Sequence, residues 1–176
     1  MKTIATVGIL ALLTSCTALD IDEARLGASL FDITATDEGT IGSQAVKSTA
    51  DGDGAGGFIE LTNVVDRDTS VGLRAGYSLA EIEAVDFEQF EGLAVARQYL
   101  TDPSAVRLYV EGRAGYARIE VRDDFLGSGG ADAFKVGGGL GVELGSVFVQ
   151  VDYDGLFGND FDAKGPSLSI GGVIRF

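Results

Sequence analysis

Two residue types on which much enzyme chemistry depends are scarce in this sequence of 176 residues: histidine is absent, and cysteine occurs once, as Cys16. Without histidine the chain has no imidazole to serve as a general base or as a metal ligand. A single cysteine excludes an internal disulfide and a zinc site built from cysteine and histidine. Acidic pairs such as Asp123 and Asp124 are typical of solvated loops, so we expect no catalytic activity, no metal site and no cofactor.

Tryptophan is also absent and proline occurs only twice, whereas glycine occurs 26 times and hydrophobic residues make up 45% of the chain. This composition has enough apolar surface for a folded protein and does not resemble that of a disordered chain. The length is that of a single domain. Together, the few prolines and many glycines favour β structure with many turns.

The first twenty residues have the layout of an export signal: Lys2 precedes an apolar run over residues 4–13, and small polar residues follow. The run is too short to span a bilayer as a helix. Leu13-Thr14-Ser15-Cys16 resembles the lipobox of bacterial lipoproteins, in which the cysteine is lipid-modified and becomes the first residue of the mature chain. The alternative is cleavage after Ala18, with loss of Cys16. We predict a signal peptide over residues 1–18, with lipid attachment at Cys16.

Residues 19–176 form the second predicted domain, and apolar and polar residues alternate through most of it. Such alternation is the signature of strands with two different environments, and about eight strands are predicted. The sequence RAGY occurs twice, at residues 74–77 and 113–116, each time before an acidic stretch. Short connections alternate with long ones rich in glycine and aspartate, which predicts an all-β, antiparallel, up-and-down barrel of eight strands. Residues 79–100 also fit one face of a helix, which would remove one hairpin.

Periodicity leaves two alternatives for such a barrel: an apolar interior, as in a soluble carrier of an apolar ligand, or an apolar exterior, as in a transmembrane barrel. The second is favoured because the polar faces mix glycine with charges of both signs. Tyr77, Tyr116 and Tyr153 stand on the apolar face at the same end of three strands, as in an aromatic girdle. Beyond them Ile82 and Ile119 take the opposite parity, which predicts a change of environment. The predicted charge network of the lumen comprises Arg74, Arg107, Glu111, Arg113, Lys135, Glu143, Asp152 and Arg175.

The C-terminal segment Ser-Ile-Gly-Gly-Val-Ile-Arg-Phe resembles the last strand of bacterial outer-membrane β-barrels. The whole pattern is similar to that of the small barrels of the outer membrane protein A and X type. That resemblance implies a location in the outer membrane of a Gram-negative bacterium, contact with outer-membrane lipid, and recognition of Phe176 by the barrel assembly machinery. An eight-stranded barrel is filled by its own side chains, so no open pore is expected. A periplasmic, lipid-anchored, soluble barrel that binds an apolar ligand remains the alternative.

Most of the formal net charge of −14 lies in four predicted loops at one end of the barrel, which together carry −12: residues 37–55, 81–91, 118–132 and 154–164. An acidic rim repels nucleic acid and attracts divalent cations or a basic partner. Asp51-Gly52-Asp53-Gly54 offers oxygen ligands but lacks the spacing of an EF-hand, so a specific calcium site is the less favoured interpretation. We expect a structural or interaction role in the cell envelope, with or without association in a larger membrane complex.

Overall fold

The computed structural model describes residues 21–41, 44–82, 85–102, 105–123, 127–159 and 161–176, with the backbone alone at 37–47 and 121–128. The predicted signal peptide and Cys16 lie outside these ranges. The described residues form eight strands: β1 (Glu23–Ile41), β2 (Gln44–Val64), β3 (Thr69–Ile82), β4 (Val85–Tyr99), β5 (Val106–Asp123), β6 (Gly127–Leu144), β7 (Val147–Phe157) and β8 (Phe161–Arg175). In these ranges no helix is long and apolar enough to cross a membrane.

Every strand pairs antiparallel with the next, and β8 pairs with β1 to close the barrel. Strand β1 begins and strand β8 ends at one end, which we call the proximal end; the opposite end is the distal end. The three proximal connections are short, at residues 65–68, 100–105 and 145–146, and Gly145 adopts a φ of 64° in the tightest of them. The predicted all-β, up-and-down, eight-stranded barrel is therefore confirmed.

Hydrogen bonds to the backbone hold the proximal turn between β2 and β3. Oδ1 of Asp66 accepts the N–H groups of Asp68 at 2.9 Å and Thr69 at 2.8 Å. Aspartate commonly stabilises turns in this way. The hydrogen bond from the Asp68 N–H is the main reason why the pKa of the Asp66 carboxyl lies below its ordinary value.

The four distal hairpins are strands almost to their tips, whereas the sequence predicts long loops there. Strands β1 and β2 remain paired out to Ile41 opposite Gln44, and β3 and β4 out to Ile82 opposite Val85. The prediction of loops is wrong because the ladder of backbone hydrogen bonds does not depend on apolar side chains. Glycine and aspartate therefore continue a strand once the neighbouring strand is in register. As a result, the wall of the barrel extends well beyond the apolar part of its surface.

The alternative of a helix over residues 79–100 is also wrong, because this segment contains the end of β3 and all of β4. The alternation is weak in β4 because both of its faces carry apolar residues. Leu93 and Val95 are buried inside the barrel, while Ala94 and Ala96 face outward. A strand with two apolar faces has no clear two-residue period in its sequence.

The outer surface of the barrel is apolar over its proximal part, and the interior is polar. Leu73 and Leu140 are exposed on the outside, whereas Arg97 and Glu60 are fully buried. On β6 the outward apolar positions run from Phe134 to Leu144, which matches the about 9 to 11 residues that a tilted strand needs to cross a bilayer. This distribution is that of a transmembrane barrel and not of a soluble carrier with an apolar interior. We call this outer surface the apolar belt.

Glycine at position 141 makes room for the buried Tyr109, which faces it across the pair β5 and β6. A Cβ at Gly141 would overlap the Tyr109 ring, whose hydroxyl donates a hydrogen bond to Gln150 at 2.8 Å. We expect Gly141→Val to destabilise the barrel by about 1–3 kcal/mol, the usual cost of overpacking. The measurement is the urea midpoint of the folded barrel in detergent.

The matched control is Gly112→Val on the adjacent strand, where a Cβ meets nothing within 4 Å. Its midpoint should stay close to that of the unchanged protein. Equal midpoints for the two variants would show that the space at position 141 is not required.

Candidate functional site

Ionised side chains occupy the barrel interior inside the apolar belt. Every second side chain of a strand points inward, and this brings the ionised side chains together. Glycines such as Gly139 leave space for longer side chains on neighbouring strands. Seven cationic and seven anionic side chains take part, so the set is formally neutral. We call this set the charged lumen; it comprises Arg25, Arg74, Arg97, Arg107, Arg113, Lys135 and Arg175 with Glu23, Glu60, Glu91, Glu111, Glu143, Asp152 and Asp154.

At the centre of the charged lumen two arginines bridge the same two carboxylates. Nη2 of Arg74 lies 2.6 Å from Oε2 of Glu60 and 2.6 Å from Oε1 of Glu111. Arg97 pairs with Glu60 as well, and its Nη2 lies 2.5 Å from Oε2 of Glu111. All four side chains are almost completely buried. Because removal of one partner leaves a buried charge uncompensated, each member of this group depends on the others.

A second group lies nearer the proximal end and is centred on Arg25. Its Nε donates to Glu23 at 2.7 Å, and its Nη2 donates to Glu143 at 2.7 Å and to the Tyr99 hydroxyl at 2.9 Å. Arg175 of the last strand also pairs with Glu143, and its Nε lies 3.2 Å from Glu23. These contacts join β1, β4, β6 and β8 across the closure of the barrel.

The third group lies toward the distal end. Arg113 Nη1 donates to Asp152 at 3.1 Å, and its Nη2 donates to Asp154 at 2.8 Å. Nζ of Lys135 lies 2.5 Å from Glu91. Each of the three carboxylates in this group therefore has a cationic partner. Charge-assisted hydrogen bonds of this kind are among the stronger ones in proteins. Together the three groups place paired charges along the barrel interior.

Seven of the eight lumen residues predicted from the sequence form ion pairs in the interior; the eighth, Arg107, stacks its guanidinium over the Tyr99 ring at 3.4 Å. Asp154 and Glu91 are predicted in the acidic rim, and the structure corrects this by placing both inside. Continued alternation from Asp152 to Asp154 is the signal that would have found the first of them. The charged members that the sequence analysis did not identify are Glu23, Arg25, Glu60, Glu91, Arg97 and Asp154.

The three girdle tyrosines point outward at the distal edge of the apolar belt. Tyr116 is 73% exposed, and Tyr77 and Tyr153 are also exposed. Two of them pair with aromatic rings of adjacent strands: Tyr77 with Phe90 at 4.8 Å between ring centres, and Tyr116 with Phe134 at 5.9 Å. An aromatic cluster at the edge of an apolar band is typical of the membrane interface. Their anchoring role remains a prediction.

Beyond the tyrosines the interior becomes apolar while the outer surface becomes acidic. Ile82, Ile119 and Leu156 are buried inside the distal part, packed with Phe87 and Phe161. The predicted change of parity is therefore a change in side-chain chemistry and not in strand geometry. The strands keep their orientation, because Ile82 points to the same side of β3 as Arg74.

Four carboxylates stand side by side on the outer surface of this distal part. Asp32 is opposite Asp53, Asp53 is opposite Glu81, and Glu81 is opposite Asp86. All four are exposed, and the next position in the same row, on β5, is Arg122. We call these four residues the acidic row. Among the described residues no group of three or more His, Cys, Asp or Glu side chains is arranged to hold a metal ion.

Comparison of whole structures places this architecture among known barrels. Ail, the attachment invasion locus protein of Yersinia pestis, matches 88% of this chain and 99% of its own with a TM-score of 0.58 and 14% identity. Neisserial surface protein A matches 87% and 97% with a TM-score of 0.58 and 16% identity. The N-terminal barrel domain of Pseudomonas aeruginosa OprF matches 84% and 97% with a TM-score of 0.51 and 18% identity. The chain has the fold of the small outer-membrane β-barrels.

This fold is shared without detectable similarity in sequence. No protein-family model matches the chain, and no curated protein matches it by sequence. At 14–18% identity the solved neighbours establish the architecture alone. Function must therefore be argued from the surfaces and the interior of the barrel itself.

The central group of the charged lumen gives a prediction for stability. Arg97→Met would leave Glu60 and Glu111 with one cationic partner fewer in a buried setting. Loss of one partner from a buried pair typically costs about 3–5 kcal/mol. We expect a loss of that size in the free energy of unfolding, measured by urea titration in detergent.

Arg67→Met is the matched control, because the Arg67 and Asp102 side chains form an ion pair while 68% and 82% exposed. Exposed pairs contribute about 0–1 kcal/mol. Similar losses for the two substitutions would contradict the idea that the lumen charges depend on their burial.

Proposed function

We propose that the protein is a non-enzymatic β-barrel of the outer membrane of a Gram-negative bacterium, and that its acidic row binds a positively charged partner in the cell envelope. The acidic row is the observation that carries the proposal. Like charges directly opposite each other in a sheet are destabilising. Exposed carboxylates held in register across four strands therefore favour contact with an external cation.

The apolar belt supports the membrane part of the proposal. Leu140 is 64% exposed and lies midway along the outward apolar stretch of β6. A surface of this kind is unfavourable in water and favourable in lipid. In the proposed orientation the proximal end faces the periplasm, and the acidic row lies on the outside of the cell.

The charge distribution supports a partner that binds at the distal end. The charged lumen is formally neutral, so the excess of acidic residues lies outside it. The distal segments 32–53, 81–88, 118–132 and 160–164 contain 15 acidic and 4 basic residues. Such a surface steers cationic molecules toward itself. A basic surface on another protein of a membrane complex is the partner that we favour, and bridging by divalent cations is the second candidate.

The proposal includes no catalysis because of the surroundings of the carboxylates. Glu60 and Glu111 are buried, and both are held by Arg74 and Arg97. A catalytic acid or base must be able to exchange a proton with a substrate. In the distal part of the barrel, Glu81 and Asp162 are exposed on the outer surface. These surroundings favour structural and interaction roles for the acids.

The proposal also includes the two ends of the chain. Strand β1 begins at Glu23 at the proximal end, and Cys16 precedes it by a few positions in the sequence. A lipid on Cys16 would enter the periplasmic leaflet there. Phe176, whose N–H donates to the Asp22 carbonyl at 3.0 Å, lies at the same end, where the assembly machinery would meet it.

The test of the acidic row is a triple substitution, Asp53→Asn, Glu81→Gln and Asp86→Asn, and the measurement is binding of a poly-lysine peptide to the purified barrel. We expect the substitution to weaken binding, and we expect added salt to weaken binding to the unchanged protein because salt screens exposed charges. The triple substitution should also raise the free energy of unfolding by roughly 0.2–1 kcal/mol for each repulsive pair removed. Copurification after mild detergent extraction then identifies the natural partner.

The control carries the same change in charge elsewhere: Asp68→Asn, Asp102→Asn and Asp162→Asn. All three residues lie outside the acidic row. If the control weakens poly-lysine binding as much as the triple substitution in the row does, the net charge of the protein and not the row determines binding.

Insertion is tested by a charge at the centre of the apolar belt. Leu140→Arg should destabilise the inserted barrel by about 2–4 kcal/mol. The measurements are urea unfolding in lipid vesicles and the mobility of unboiled protein in SDS gels, where a closed barrel shifts on heating.

Val65→Arg is the control, because Val65 is 63% exposed, about as exposed as Leu140, but lies in a proximal turn. The expected cost near the interface is about 0–1 kcal/mol. Unimpaired insertion of the Leu140 variant would contradict the membrane assignment of the apolar belt.

A further inference from the structure

The distal part of the barrel encloses an apolar cavity of about 130 Å³. Its wall includes the apolar side chains of Ile33, Ile82, Phe87, Ile119, Leu156 and Phe161. These residues come from six different strands, so the cavity lies on the barrel axis. Three of these strands, β1, β3 and β4, also carry members of the acidic row on their outer surface, so along these strands the two features are on opposite faces of one wall. We call this cavity the distal chamber.

Small side chains create the space in the distal chamber. Ala35, Ala80, Ala131 and Ala163 all line it, at positions where a larger apolar residue would fill the interior. An unfilled cavity in a protein core is destabilising in proportion to its volume. The charged lumen shows that this barrel fills its interior with long side chains elsewhere. Four alanines around one cavity therefore favour a chamber that receives a ligand.

The boundary of the chamber limits the chemistry of that ligand. Ser78 and Gln89 lie where the chamber meets a smaller cavity of about 70 Å³, whose lining includes side chains of the charged lumen. Lys135 and Glu91 line this smaller cavity and pair with each other at 2.5 Å. A charged ligand would lose its hydration without gaining a free counterion, which is strongly unfavourable. An uncharged ligand has no such cost.

The volume points to the size of the ligand. An apolar cavity of about 150 Å³ lined by aliphatic and phenyl side chains stays dry and binds benzene. The distal chamber has nearly this volume and a similar lining. We propose that the distal chamber binds one small uncharged aromatic molecule, or the aromatic group of a larger uncharged molecule whose polar end meets Gln89 and Ser78. This site is independent of the proposed role of the acidic row.

Isoleucine methyl groups provide the test in the intact barrel. In detergent, titration with benzene is followed by NMR of protein labelled at these methyls. Ile33, Ile82 and Ile119 line the chamber, whereas Ile170 and Ile174 face outward and report partitioning of benzene into the micelle. We expect saturable shifts at the three chamber methyls and only a continuous, unsaturated drift at the two outer methyls.

Two substitutions that fill the chamber identify the site. Ala80→Leu and Ala131→Leu should each weaken benzene binding at least tenfold, because the added methyl groups occupy its volume. Ala75→Leu is the matched control, since Ala75 lies on the same strand as Ala80 but faces outward. It should leave the saturable shifts unchanged. Either filling variant suffices if the other does not fold.

Two results would overturn the proposal. The first is an unsaturated response of the chamber methyls in the unchanged protein that matches that of Ile170. The second is saturable binding of unchanged affinity in a folded filling variant. In both cases the chamber would be the apolar core of the extended wall and not a binding site.

Discussion

The requirement that governs this barrel is compensation of charge in an interior that has little access to water. Each guanidinium at the centre, on Arg74 and Arg97, meets at least two carboxylates, and Glu60 and Glu111 each meet at least two guanidiniums. Such an arrangement satisfies several donors at once, which an isolated pair cannot do. These pairs join the consecutive strands β2 to β5. The pairs of Arg25 and Arg175 join β1, β6 and β8, so the complete set forms only when the barrel is closed. The charged lumen therefore favours one register over its alternatives.

A second constraint is that each strand crosses two environments without changing its geometry. On β3 the inward positions pass from Arg74 to Ile82, while the outward positions pass from Leu73 to Glu81. Polarity is thus reversed on both faces at about the level of Tyr77. A membrane requires an apolar exterior on the proximal side of that level, and water requires a polar exterior on its distal side. The ladder of backbone hydrogen bonds continues through both environments, because the backbone N–H and C=O groups need hydrogen-bond partners in each of them.

These constraints explain how far the sequence predicts the structure. Alternation predicts the strand count, because most strands have one polar and one apolar face. The mixed charges of the polar faces and the aligned tyrosines are also needed to predict the inside-out faces and the burial of Glu111 and Arg113. Alternation does not predict Arg97, whose strand has apolar residues on both faces, or the pairing of Glu60 with arginines on β3 and β4. Composition also misled the prediction at the distal end, where glycine and aspartate suggested loops. Pairing across strands is a property of register, and register is not encoded in the pattern of any single strand.

The distal extension separates two surfaces that would interfere with each other on a simple barrel. A row of carboxylates requires water on one side of the wall, and an apolar chamber requires the exclusion of water on the other. Because side chains alternate along a strand, one wall provides both, with Glu81 outside and Ile82 inside. The charged lumen, which is formally neutral, lies on the proximal side of the chamber. The two proposed sites therefore share one wall and use its opposite faces.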